Sequence, residues 1–384
     1  MNVAYAYPWD IVGDPSAASR LADLGVEAVA VAASYHSTRA ATPYHPSHRV
    51  LDVPHAAFYL PVRPAAWGRL APLTPTWTAP DAYLRASDAL RSAGLRVHAW
   101  TVLTHNSALG TAHPDLVVRN AFGDPYPHAL CPAFADVVDY CERMVREVLT
   151  VGRPDGLILE ACGPMGFGHQ SMHEKTAGAD WTATDMDLLS LCFCSACADR
   201  YPRGTRGRVR AAIDDPAEPG GTTGSTPQAG TPSIDEALGP FAEEVRAARV
   251  DLSASLRRRL LAAARETAPN VPITVHANPD PWAVGAFAPL PDGEPGADVL
   301  VANCWGDPAT DAARLTRLSE LCGPGQRVGA YVLGLPPRPA DAPALADLLR
   351  AYAKTGAAEF HLYHAGLASP RRLAVMAEAL RLTG

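Results

Sequence analysis

The chain has 384 residues, 48% of them hydrophobic and 19% charged, with a net charge of −7. That composition can bury a sizeable core and excludes a disordered chain, while the negative balance and the lack of an Arg/Lys stripe with interleaved aromatics argue against a nucleic-acid partner. No run of about 18 apolar residues offers a membrane span, and the stretch Met1 to Pro8 has neither the basic segment nor the apolar core of a signal peptide. A cytoplasmic protein is therefore expected, with its eight cysteines reduced or bound to metal and not paired in disulfides.

Val3 to Tyr7 reads as a short strand stopped by Pro8. Asp14-Pro15 opens a helix, Asp as N-cap and Pro at the first helical position, that ends near Gly25. Glu27 to Ser34 is a second buried strand leading into Tyr35 and His36. The long loop that follows, to about residue 78, holds Tyr44, Phe58, Tyr59 and Trp67, and its aromatic content predicts an ordered cover over a site. A helix from Pro80 to Gly94 precedes a third strand, Leu95 to Leu103, with His105 and Asn106 just beyond it.

An amphipathic helix spans Phe134 to Leu149. Gly156 to Glu160 is the fourth strand, an apolar run ending in a carboxylate. Residues 183–201 read as helical, and 203–233, rich in Gly, Pro, Ser and Thr, read as a flexible insertion. One long helix is expected over Ile234 to Thr267. Strands five to eight follow at Ile273 to Ala277, Ala297 to Asn303, Arg327 to Leu333 and Glu359 to Tyr363, with helices at 341–355 and from Pro370 to Leu382. Eight apolar strands alternating with helices predict a single-domain (β/α)8 barrel, a TIM barrel. A doubly wound open sheet is the alternative, but no Gly-x-Gly-x-x-Gly follows a strand to support a dinucleotide site.

In such a barrel the C-terminal strand ends share one face, where active sites lie. The polar residues there are Tyr35, His36, His105, Asn106, Glu160, His276, Asn278, Asn303, Trp305, Asp307, Tyr331, His361, Tyr363 and His364. Glu160 is the foremost candidate. A carboxyl in a partly apolar pocket has its pKa raised and can act as a general acid near neutral pH. His169 and His173 have the i, i+4 spacing of a metal pair, but His-Gln-Ser-Met-His lacks the intervening Glu of the zinc proteases; they are expected to hydrogen-bond a polyhydroxylated substrate. Tyr35, Trp100, Trp282, Trp305, Tyr331 and Tyr363 are candidate stacking platforms for sugar rings.

Cys192-Phe-Cys194-Ser-Ala-Cys197 places three thiols as for a tetrahedral zinc that lacks one ligand. Cys131 and Cys162 are the candidates for the fourth, with Cys141 disfavoured inside a helix. Such a site would be structural. An iron–sulfur cluster needs the same ligands, but nothing else points to redox work.

Leu130-Cys-Pro132 ahead of a helix, followed by Asp155-Gly-Leu-Ile-Leu-Glu160, resembles the approach to the fourth strand of the glycoside-hydrolase-like barrels, in which a Glu is commonly the acid/base. The cysteine cluster is similar to the zinc cluster of the family 42 β-galactosidases, which an upstream Cys completes; Cys131 matches that position. The resemblance implies a sugar-containing small-molecule substrate, Glu160 as acid/base, and a structural zinc on Cys131, Cys192, Cys194 and Cys197. It stops at strand seven, where the retaining enzymes carry a nucleophilic Glu and Val328 to Pro336 has no carboxylate. Asp307, working through water, or His276 as a base is expected to supply the second group. Two further functions stay open: a metal-dependent isomerase or hydrolase using Glu160 and the histidines, and a sugar-binding barrel without turnover.

Overall fold

The computed structural model describes residues 1–169, 174–214 and 232–383. Eight strands, β1 (Asn2–Ala6), β2 (Ala28–Tyr35), β3 (Arg96–Val102), β4 (Gly156–Glu160), β5 (Ile273–Asn278), β6 (Val299–Cys304), β7 (Arg327–Leu333) and β8 (Ala357–Tyr363), pair in parallel and in chain order. β1 also pairs with β8 in parallel, Val3 opposite His361, which closes the sheet into a barrel. This is the expected (β/α)8 architecture. All eight residues of β2 and all five of β4 are buried, as befits strands covered by side chains inside the barrel and by helices outside.

The outer layer holds α1 (Ala17–Ala22), α2 (Ala82–Ser92), α3 (Ala135–Glu147), α4 (Ala242–Thr267), α5 (Pro308–Glu320), α6 (Ala342–Lys354) and α7 (Pro370–Thr383). The connection from β5 to β6 has no helix and instead lays Ala288–Pro289 alongside the end of β5. The helix expected over Ile234 to Thr267 is broken, because Gly239, at φ +57, and Pro240 turn the chain between Ile234–Leu238 and α4. Residues 183–201 are helical only over Ala183–Leu189, with one short turn at Ala198–Arg200. Of the expected flexible insertion, Thr205–Asp214 is a helix, and 215–231 lie outside the described residues. The long loop after β2 is ordered: Thr38–Ala41 and Val50–Val53 form a hairpin, and Ala57–Phe58 pairs with the end of β2. No helix among the described residues is long and apolar enough to cross a membrane.

Candidate active site

Glu160 ends β4 and is 6% exposed. The next residue, Ala161, takes a left-handed φ of +58, which costs a residue with a Cβ on the order of 1–3 kcal/mol and tends to persist at functional sites. The turn is held from both sides: Ala161 N–H donates to Ala286 O at 2.9 Å, and the Thr104 hydroxyl donates to Ala161 O at 2.9 Å. The backbone is thus fixed where the carboxylate leaves it.

An ionised carboxylate out of water needs partners, and Glu160 has two. The Trp100 indole N–H donates to Oε2 at 2.7 Å, and His276 Nδ1 lies 3.1 Å from the same oxygen. Burial by itself drives the Glu160 pKa up, but the His276 contact, reinforced by Trp100, outweighs it and leaves the carboxyl below its ordinary range. The resting group is a carboxylate. The raised pKa expected from the apolar strand is corrected here, because the desolvation is over-compensated by two neighbours, His276 and the Trp100 donor, that the run Gly156 to Glu160 does not contain.

A continuous wall surrounds it. Tyr35 packs edge-on against Trp100 at 4.7 Å and stacks on His36 at 4.1 Å; His36 stacks on His105 at 4.1 Å. His105 Nδ1 is 3.2 Å from His169 Nε2. On the other side Tyr331 lies 5.0 Å from His276, and Trp305, 37% exposed, stacks on Tyr331 at 5.5 Å and lies 4.7 Å from Tyr363. Burial pushes the His36 and His128 pKa values down and takes His169 to about 4. It raises Tyr35 and Tyr331, with Glu160 adding to both. At neutral pH His36, His128 and His169 are therefore uncharged imidazoles and Tyr35 and Tyr331 uncharged phenols, groups that both donate and accept, beside one anion. A cavity of about 490 Å³ adjoins it, lined by Tyr7, Tyr363, Thr38, Arg39 and Arg372 among others.

Several expected contacts serve the scaffold. Asp307 is exposed and caps α5, its Oδ2 accepting from the Ala309 and Thr310 amides, which hold its pKa down. Asn106 caps the helix Ser107–Ala112 through Leu109 N, and Asn278 Oδ1 accepts from Asp280 N in the loop after β5. Trp100 is 1% exposed, and its role is to hold Glu160. Trp282 is buried in a separate cluster beneath α4, with Arg249 over its ring. His276 is 0% exposed, behind Glu160 and stacked on Phe287 at 4.5 Å. His173 lies outside the described residues.

Sequence reasoning passed over Tyr5, Tyr7 and His128. Tyr7 stacks on Trp9 at 4.4 Å and lies 4.2 Å from His364, while His128 Nε2 is 3.2 Å from Gly166 O. The two-residue spacing of Tyr5 and Tyr7 was the available signal, since alternate strand residues share a face.

The four thiols converge. Cys131 Sγ lies 3.5, 3.8 and 3.7 Å from the sulfurs of Cys197, Cys192 and Cys194, and all four residues are buried. Four sulfurs about 2.3 Å from a central zinc stand about 3.8 Å apart, so the donor set fits a tetrahedral ion. Cys162 is not in the group. Among the described residues this is the one set of three or more Cys, His, Asp or Glu whose ligand atoms converge closely enough to hold a metal.

No known family model and no curated protein matches the sequence. Solved structures do match. They include α-L-fucosidase isoenzyme 2 from Paenibacillus thiaminolyticus (TM-score 0.56, 11% identity, 99% of this chain and 49% of that one). The PgaB (BpsB) glycoside hydrolase domain from Bordetella bronchiseptica matches at TM-score 0.56 and 15% identity, over 99% of this chain and 97% of that one. A β-galactosidase from the psychrophilic Marinomonas ef1 matches at 0.55 and 13%, over 99% and 59%. The chain spans about half the length of the fucosidase. What the three share with it is the barrel, so the expected (β/α)8 fold is the observed one.

Proposed function

We propose that the protein is a glycoside-hydrolase-like enzyme acting on a small glycoside or sugar-derived metabolite, with Glu160 as its acid/base centre. The observation that carries this is the single buried carboxylate at the end of β4, ionised and held by Trp100 and His276. Glycoside cleavage passes through an oxocarbenium-like transition state. An anion walled by neutral rings suits that developing positive charge, because aromatic faces attract cations, and the imidazoles and phenols suit sugar hydroxyls. Being ionised at rest, Glu160 first accepts a proton or stands as the anion under the reacting carbon. His276, behind it, acts through it. His36, His105, His169, Tyr35, Tyr331, Tyr363 and Trp305 form the substrate wall.

Cys131, Cys192, Cys194 and Cys197 would hold a zinc ion. Four thiolates close the coordination sphere, so this ion would brace the segment after β4 against the Pro125–Leu130 strand and do no chemistry. The barrel-fold solved structures named above include a fucosidase, a glycoside hydrolase domain and a β-galactosidase, which supports a sugar-containing ligand.

The test is hydrolysis of a panel of 4-nitrophenyl glycosides by wild type and Glu160→Gln at matched thermal stability. Turnover that falls by at least 10³-fold in the variant supports the reading; turnover unchanged in it would falsify the role of Glu160. A second reading, sugar binding without turnover, is favoured by β7, whose residues Arg327 to Leu333 include no carboxylate. It predicts saturable binding with no release of nitrophenol, and binding kept in Glu160→Gln.

A further inference from the structure

The cavity of about 490 Å³ beside the Glu160 wall holds a charge that the proposed chemistry leaves unused. Its volume falls within the roughly 300–1,000 Å³ of small-molecule sites. Tyr7 follows β1, Thr38 and Arg39 follow β2, Tyr363 ends β8, and Ser369 and Arg372 come after it. All of these stand at C-terminal strand ends or just beyond, so the cavity lies at the same end of the barrel as Glu160. Tyr7 and Tyr363 also lie 5.9 and 6.4 Å from the Trp100 ring, and Trp100 donates to Glu160. A ligand in the cavity therefore sits next to the support of the carboxylate.

The lining contains two arginines, Arg39 and Arg372, and no Asp or Glu. Arg39 is neutralised: its Nε and Nη2 donate to the two Asp52 oxygens at 2.6 and 3.2 Å. Arg372, the third residue of α7, is not. Its Nη1 donates to Gly334 O at 3.1 Å and its Nη2 to Arg338 O at 3.0 Å, and no carboxylate among the described residues pairs with it. Carbonyls orient a guanidinium without cancelling its charge, and these two bonds leave three of its five N–H groups unused. The carboxylates on adjoining segments are committed elsewhere. Asp10 accepts from the Tyr7 amide and is drawn to Arg20. Asp341 caps α6 through Ala344 N. In a chain of net charge −7, a cation held in place at a cavity and left without a counter-ion favours an anionic ligand. The planar fork of a guanidinium suits the oxygens of a carboxylate, phosphate or sulfate.

We infer that the substrate is a sugar carrying an oxyanion substituent, a carboxylate, phosphate or sulfate, and that Arg372 selects it. The inference rests on the Glu160 reading for the reaction, and on the cavity and Arg372 for the binding. The imidazoles and phenols around Glu160 take the sugar hydroxyls, and Arg372 takes the charged group. Thr38 and Ser369 add neutral hydroxyls to the same lining.

The test reads binding and needs no turnover. The full chain is titrated calorimetrically with D-glucuronate, D-galacturonate, D-glucose 6-phosphate and D-galactose 6-sulfate, and with the neutral parents D-glucose and D-galactose. At least one anionic sugar is expected to bind roughly 10- to 100-fold more tightly than its parent, and the preference should shrink as salt is raised. Which anionic sugar binds tightest separates carboxylate from phosphate and sulfate. Arg372→Gln is expected to abolish the preference, and Arg372→Lys to keep part of it. Ser369 Oγ accepts from the Arg372 amide at the start of α7, and Asp caps a helix as well as Ser does. Ser369→Asp therefore keeps the cap, gives Arg372 a counter-ion and is also expected to abolish the preference, which serves if Arg372→Gln does not fold. Anionic sugars bound no better than their parents, a preference kept in both variants, or acetate and inorganic phosphate bound as tightly as the sugars would overturn the inference. Anionic-sugar binding with no release of nitrophenol from any glycoside would sink the Glu160 reading alone. Turnover of neutral glycosides with no anionic preference would sink this inference alone.

Discussion

Trp100 gives its indole N–H to Glu160 Oε2 at 2.7 Å inside the barrel. The indole is 1% exposed, so it fixes the charge and aim of the carboxylate and has no free face for a sugar ring. A hydrogen bond to a charged group contributes about 1.5–3 kcal/mol. Trp100→Phe is expected to lower kcat by roughly 10- to 100-fold with KM nearly constant. The acidic limb of the pH–rate profile should move to higher pH, because loss of a donor to the carboxylate disfavours ionised Glu160. Steady-state kinetics across pH on a glycoside that turns over checks this, and an unmoved limb would show that Trp100 only fills space.

Trp305 is the aromatic that does present a face, 37% exposed above Tyr331. Trp305→Ala is expected to raise KM about 3- to 10-fold, as loss of roughly 0.5–1.5 kcal/mol of stacking would. Stability should change by less than about 0.5 kcal/mol, as usual for exposed positions. Kinetics and thermal melting together separate this from a folding defect; an unchanged KM would remove Trp305 from the substrate wall.

The cysteine cluster predicts about one zinc ion per chain in protein purified without added metal, lost in Cys194→Ser and on treatment with a strong chelator. Melting temperature should fall in parallel, because the thiols join the segment carrying Cys192 to Cys197 to Cys131 beside β-strand Pro125–Leu130. Elemental analysis decides it. Metal retained in the variant would direct the search to the histidine wall and the metal-dependent alternative.

Asp10, just past β1, carries a testable pH effect. Its burial outweighs the Tyr7 amide and nearby Arg20 and raises its pKa to about 7, and Oδ1 is buried with no hydrogen-bond partner. Folded Asp10 keeps its proton where the unfolded chain, near 3.8, has lost it. Ionisation therefore favours unfolding, and stability should fall as pH rises from about 4 to 7 and level off beyond. Asp10→Asn is expected to flatten that window, with a difference of at most about 4 kcal/mol at pH 7. Denaturant melts at pH 4 and pH 7.5 suffice; equal wild-type and variant slopes would exclude Asp10 as the cause.

The candidate site was legible in the sequence where one strand carried the whole message. The run Gly156 to Glu160 is apolar enough to be buried and ends on a charge that burial would penalise, which marks Glu160. Tyr35, His36, His105 and Tyr363 follow in the same way from strand ends. The same rule named Asn106, Asn278 and Asp307. These short polar side chains are equally good at satisfying backbone amides in the turn that follows a strand, and the structure employs them there. Strand-end polarity marks both the candidate site and the turns and does not separate them.

Local patterning determined the barrel, because apolar runs of strand length alternating with capped helices bury their faces in few other ways. It also determined the thiol cluster in outline, since Cys192, Cys194 and Cys197 are adjacent in the chain. The charge state of Glu160 was decided only by the tertiary structure. Its partners come from β3 and β5, and behind them the Tyr5 hydroxyl lies beside His276 and His361, across 271 and 356 residues of sequence. A pKa reflects the balance between desolvation and neighbours within a few ångströms, and barrel closure, which sets β1 beside β8, brings those neighbours together.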